Sequence, residues 1–228
     1  MKGAEYIKMS FPVKIVVEKL LPHFSLHLRA YLRLIVDKKS YIHSTGWLMS
    51  LRERKPIDRN GNPIPWMNYP TIRFLEERLT NKLSIFEYGS GFSTLFFASR
   101  VKNVTSVEHD YEWYNLIKSR MPNNVNLLFK DSDINGNYCR AILTEGIMYD
   151  LVIIDGEDRI NCTMQSLRAL SSRGVVILDD SLEPMQQPCV SYLKEMGFKA
   201  LLIEGLKPTR AGVDGTTIFY RDGNCLGL

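Results

Sequence analysis

Six carboxylates stand at the ends of short apolar runs. Glu87 lies within "SIFEY", Glu108 closes "VTSVE", Asp131 follows "NLLFK", Asp155 follows "DLVII", and Asp179 with Asp180 follows "GVVIL". Carboxylates so placed accept hydrogen bonds from ribose hydroxyls, pair with ammonium groups, take up protons or ligate hard cations. Directly after Glu87 and Tyr88 comes Gly89-Ser90-Gly91. Without Cβ atoms at its two glycines, such a turn takes positive φ and lets backbone approach a ligand closely. Taken alone, it serves an ordinary strand-to-helix connection equally well.

These residues need elements that bring strand ends together. Apolar runs at 84–88, 104–108, 125–129, 149–154 and 174–178, separated by helical or loop segments, predict a parallel sheet covered on both faces. In open α/β sheets ligands bind outside the carboxyl ends of the strands, so the acids and the Gly turn are expected to share one crevice. A helix N-cap is the simpler role open to Asp131 or Asp155 singly. Glu108 lies 19 residues after Gly89, the separation at which an acid on the second strand accepts from two vicinal ribose hydroxyls. Both a nicotinamide dinucleotide and S-adenosylmethionine carry those hydroxyls. The dinucleotide pattern G-x-G-x-x-G wants a third glycine where this chain has Thr94. The sign of Glu87, two residues before the first glycine, suits an ammonium and not a pyrophosphate.

The 228 residues are 45% hydrophobic and 24% charged, the profile of one globular domain with an appendage and not of a disordered chain or coiled coil. Cys139, Cys162, Cys189 and Cys225 are far apart with no C-x-x-C pair, which argues against a zinc site or disulfide framework and for reduced thiols in a cytoplasm. Residues 1–60 hold 12 Lys/Arg against 5 Asp/Glu, and the remainder holds 17 against 20. Within the basic part, residues 13–39 show helical apolar spacing interrupted or begun at Pro22, and read as a lid or a subunit contact, with peripheral docking on anionic lipid as the other reading. No nucleic-acid recognition motif accompanies the basic residues. The Pro/Gly-rich stretch 54–66 marks a boundary between an N-terminal helical extension, 1–60, and a main domain, 61–228.

With "FEYGSGFST", "VTSVEHD" and "YDLVIIDG" in this order, residues 69–228 resemble class I S-adenosylmethionine-dependent methyltransferases. "IDGEDRINC", "VILDDS" and "TTIFYRDGNCLGL" are further similar to a little-characterised bacterial group of them. The resemblance implies a Rossmann-like, doubly wound, mainly parallel seven-stranded sheet with an antiparallel last strand. It also implies cofactor contact by Glu87, Gly89, Ser90 and Gly91, ribose contact by Glu108 with His109 beside it, and adenine-side contact by Asp131 and Ser132. Asp155 falls at the cofactor and at the reacting group.

Asp155, Asp179 and Asp180, at neighbouring strand ends, would repel one another unpaired, and a hard divalent ion, Mg²⁺ first, would relieve them and activate an acceptor hydroxyl. Their placement resembles that of metal-dependent O-methyltransferases of the catechol and macrocin types. The lysine that catechol-type enzymes carry three residues after the first acid is absent, since Asp158 stands there and Arg159 next. The expected acceptor is a small-molecule or sugar-like hydroxyl. A nicotinamide-dependent oxidoreductase and a non-catalytic binding or membrane-docking module are the alternatives.

Overall fold

The computed structural model describes residues 22–228. Three helices, α1 (Pro22–Val36), α2 (Tyr41–Ser44) and α3 (Trp47–Glu53), precede α4 (Tyr69–Arg78). Strands and helices then alternate: β1 (Ser84–Tyr88), α5 (Phe92–Ala98), β2 (Asn103–Glu108), α6 (Tyr111–Lys118), β3 (Val125–Phe129), α7 (Asn137–Arg140), β4 (Tyr149–Ile154), α8 (Arg159–Ser166), β5 (Leu170–Leu178) and α9 (Gln187–Glu195). The chain closes with β6 (Lys199–Leu206) and β7 (Val213–Tyr220).

The seven strands form one sheet in the order β3-β2-β1-β4-β5-β7-β6. β1 to β5 run parallel, and β7 lies antiparallel between β5 and β6. The expected doubly wound sheet is therefore present, with its antiparallel last strand. Dinucleotide-binding sheets run in the order 3-2-1-4-5-6, so β7, inserted antiparallel between β5 and β6, separates this topology from theirs.

Apolar runs become central strands here because both faces are covered. On β4, Leu151 and Ile153 pack into one layer while Val152 and Ile154 pack into the other, and all four are fully buried. Val175 and Ile177 against Val176 and Leu178 repeat the division on β5. The first layer is completed by Ile72 and Leu75 of α4 and by Phe96 and Phe97 of α5; the second by Cys139, Cys162, Cys189 and Leu193. β5 starts at Leu170, four residues before the start expected from its apolar run, because Leu170 pairs with Tyr149 ahead of a register shift that takes up residues 171–174 before Val175 pairs with Leu151.

The stretch 54–66 is tighter than a boundary of turns and prolines suggests. Asp58 Oδ1 accepts from the Asn60 and Asn62 amides, Ile57 bridges Pro63, and Ile57 and Ile64 are buried. Of the expected helix over 13–39, residues 22–36 are helical, and 13–21 lie outside the described residues. α1 leaves Leu26, Tyr31 and Val36 more than half exposed. It is tied to α2 by His43 Nε2 on the Ile35 carbonyl and by Ser40 Oγ, which donates to Leu34 O at 2.7 Å. Among the described residues no helix is long and apolar enough to cross a membrane.

Candidate functional site

At the carboxyl end of β1 the chain turns through Gly89, with φ of 89°, and Gly91, with φ of 159° and ψ of −132°, conformations open to glycine. A Cβ on Gly89 would meet the Gly156 backbone at 3.3 Å, and one on Gly91 would touch the Trp113 ring at 3.5 Å. Trp113 Nε1 donates to Ser90 O at 2.9 Å and braces the turn from α6. Glu87 is 1% exposed and accepts from Ser106 Oγ at 2.8 Å and from Thr94 Oγ1, which itself accepts from the Gly91 amide at 2.9 Å. Thr94 thus stands where the dinucleotide pattern has glycine and links Glu87 to the turn. Burial raises the Glu87 carboxyl to about 7, against the opposing pull of its hydroxyl donors.

Glu108, at the end of β2, folds back onto the same turn. Its Oε2 accepts from the Ser90 amide at 3.1 Å and from Ser90 Oγ at 2.7 Å, and its Oε1 from the His109 and Asp110 amides, both at 2.9 Å. Four protein donors fill its lone-pair directions. His109 Nδ1 lies 3.3 Å from Glu108 Oε1, and its ring stands edge-on to Tyr138. Asp131 and Ser132 are exposed beyond β3; the carboxylate that organises that loop is Asp133, whose oxygens cap α7 through the Asn137 and Tyr138 amides.

Asp155, Asp179 and Asp180 come together, each with a carboxylate oxygen within 4.8 Å of the others'. They are not unpaired, and this corrects the premise of the metal expectation. Lys207, from the loop after β6, places its Nζ 2.9 Å from Asp179 Oδ2, 2.6 Å from Asp180 Oδ1 and 3.2 Å from Asp214 Oδ2, with its side chain 6% exposed. Arg159 Nη2 lies 3.2 Å from Asp155 Oδ1 and 3.3 Å from Asp180 Oδ2, while its Nη1 donates to the Asp179 carbonyl at 2.6 Å. Thr216 Oγ1 on β7 donates to Asp179 Oδ1 at 2.6 Å. Burial works to raise Asp180, but Lys207 and Arg159 outweigh it and hold this carboxyl below its ordinary value. Asp155 is pushed the other way, upward, by burial and by the neighbouring Asp179. A depression lined by Asp180, Leu182, Glu183, Arg210 and Asp214 adjoins the cluster, and Asp214 Oδ1 is buried with no donor from the described residues.

No protein-family model matches the chain, and no curated protein matches it in sequence. Solved structures do. The O-methyltransferase TomG from Streptomyces achromogenes, involved in tomaymycin synthesis and solved with SAM, superposes with a TM-score of 0.55 at 17% identity, over 86% of this chain and 96% of that one. A putative O-methyltransferase from Klebsiella pneumoniae gives 0.54 at 20% identity, over 85% and 96%. A methyltransferase-like protein from Silicibacter pomeroyi gives 0.51 at 22% identity, over 69% and 89%. The fold is that of the class I methyltransferases.

Within this methyltransferase fold, the Gly turn at the switch between β1 and β4 fits S-adenosylmethionine: it is a tight positive-φ turn at a strand end, with a buried carboxylate at its base. The acid cluster fits a divalent ion poorly. Both Asp179 oxygens and both Asp180 oxygens already accept from protein donors. A dication about 4 Å from the Lys207 ammonium would be opposed by about 8 kcal/mol at an effective dielectric constant near 20. Sequence reasoning missed Lys207, Trp113 and Asp214. The ring of Trp113 reads as ordinary helix packing, and Lys207 lies 27 and 28 residues from Asp180 and Asp179.

Proposed function

We propose that this protein transfers a methyl group from S-adenosylmethionine to a hydroxyl of a small-molecule or sugar-like acceptor. The observation that carries the reading is Glu87: a carboxylate 1% exposed, anchored by Thr94 and Ser106 beneath the Gly turn, meets the ammonium end of adenosylmethionine and would repel a pyrophosphate. When bound, that cofactor supplies a sulfonium methyl already activated toward nucleophiles. The chain's own task is then orientation and proton removal. Glu108 would receive the ribose hydroxyls once Ser90 Oγ turns away, with His109 beside it and Asp131 and Ser132 on the adenine side. Asp155, at the end of β4 with its carboxyl raised and its side chain 28% exposed, takes the proton from the acceptor hydroxyl. Asp214 and Arg210, which line the depression beside Asp180, offer polar contacts to the rest of the acceptor. Calorimetric titration with S-adenosylmethionine, S-adenosylhomocysteine and NAD tests the cofactor: one site for the first two and none for NAD is expected, and the reverse order overturns the reading. With an acceptor in hand, Asp155→Asn should lower kcat by about 10² to 10⁴ with little change in cofactor affinity.

The exposed Leu26, Tyr31, Leu34 and Val36 on α1 support a second role for the N-terminal helices, as a contact between two copies of the chain. Light scattering checks it. A dimer that dissociates on Tyr31→Glu supports the contact, and a monomer at all concentrations excludes it.

A further inference from the structure

We propose that Lys207 is the resident cation of the acid cluster, and that it holds shut the site where the resemblance to catechol- and macrocin-type enzymes would place a divalent metal. Its ammonium reaches Asp179, Asp180 and Asp214 together, at 2.9, 2.6 and 3.2 Å, hydrogen-bonded to the first two and ion-paired with the third. Arg159 supplies the second positive charge, between Asp155 and Asp180. Asp179, fully buried, accepts from Thr216 on one oxygen and Lys207 on the other, leaving neither turned toward solvent or a ligand. The local charge that a dication would balance is thus balanced by two side chains, one from the loop after β6 and one from the start of α8. Lys207, with its side chain 6% exposed and engaged by three carboxylates, acts as a positioning residue: it holds Asp180 and Asp214, which line the depression adjoining the cluster.

Three further hydrogen bonds, from two tryptophans, hold the lysine in register. Trp66 Nε1 donates to the carbonyl of Pro208 at 2.9 Å and to Thr209 Oγ1 at 3.2 Å, and Trp47 Nε1 donates to Arg210 O at 2.7 Å. The loop that carries Lys207 is therefore clamped from outside the sheet by two tryptophans that precede β1. The importance of this arrangement for the acceptor rests on the methyl-transfer reading; the absence of a metal site does not.

The test is Mn²⁺ binding by the full chain, followed by electron paramagnetic resonance of free Mn²⁺. The wild-type protein is expected to take up no Mn²⁺ at millimolar concentration, and Lys207→Met, which keeps the length of the side chain and removes its charge, is expected to gain one site at least tenfold stronger than any in the wild type. Stoichiometric Mn²⁺ binding by the wild type that is lost in Asp180→Asn would overturn the proposal. So would a Lys207→Met protein with native circular dichroism that still ignores Mn²⁺. If Lys207→Met does not fold, the wild-type titration decides alone, with Lys207→Arg as a second chain in which the charge is retained and no site is expected. Cofactor titration on the same samples reports separately on the methyl-transfer reading, because the Gly turn and Glu87 do not touch Lys207.

Discussion

The indole of Trp47 donates to the carbonyl of Arg210 across 163 residues of sequence, joining α3 to the loop between β6 and β7 at 2.7 Å. A helix from the basic N-terminal part thereby helps to set the loop that lines the depression next to Asp180.

Trp47→Phe keeps the ring and removes the donor. Stability should fall by about 1 kcal/mol, the typical net value of one such bond, and hydrogen exchange should accelerate across residues 207–213 while the amides of β1 and β4 stay protected. Unchanged exchange in that loop would show that the indole does not restrain it.

Glu87 makes cofactor binding proton-linked. Its folded value near 7 exceeds the ordinary carboxylate value, so without cofactor this group's contribution is fully present below about 4.5 and is lost as pH rises through 7, on the order of 3 kcal/mol in all. An ammonium placed beside it favours the ionised form. Binding of S-adenosylmethionine at pH 6 should therefore release close to one proton, and affinity should rise with pH until about 7 and then level. Calorimetry in buffers of different ionisation enthalpy measures the release, and Glu87→Gln should abolish it.

Ser90→Ala and Glu108→Ala should act in opposite directions. Ser90 Oγ occupies Glu108 Oε2 at 2.7 Å, in competition with a ribose hydroxyl. Its removal is expected to tighten S-adenosylhomocysteine about fivefold, the value of one competing hydrogen bond. Glu108→Ala loses the ribose contact and the four donors that organise the turn, and should weaken binding by 10²-fold or more. Equal losses in both variants would place the ribose elsewhere.

Arg159→Leu removes three carbonyl partners, those of Asp155, Gly156 and Asp179, together with the charge between Asp155 and Asp180. A cost of about 3 to 5 kcal/mol is expected from breaking a largely buried pair, read as a lower chemical-denaturation midpoint with an unchanged slope.

The strands and the Gly turn were legible in the sequence because their signals are local. A buried parallel strand is a short apolar run, and a turn that needs glycine shows glycine. β5 shows the limit of this: Ser172 and Arg173 are exposed and interrupt any apolar run, and it is the pairing of Leu170 with Tyr149, ahead of a register shift, that starts the strand early. The convergence of Asp155, Asp179 and Asp180 was also readable, because parallel strands end on the same side. Their charge balance was not. Lys207 reaches them only after β6 has turned back toward the sheet, and Asp214 and Thr216 arrive on β7; nothing in "GLKPTR" marks its lysine as buried. The Glu108 spacing was likewise visible, while its engagement by Ser90 depends on a side-chain rotation that spacing does not encode.

The place of β7 has a consequence for the order in which the molecule is made. β6 joins the sheet only through β7, and β7 brings Thr216 to Asp179. A nascent chain that has reached β6 can form the parallel sheet from β3 to β5, yet β5 then presents a bare edge with an unsatisfied acid at its end. Completion of the edge and the seating of Lys207 and Thr216 on Asp179 become one late event, after translation has passed residue 220. Products truncated before that point carry an open pairing edge and uncompensated charge together, and are accordingly the species most exposed to aggregation and to proteolytic clearance.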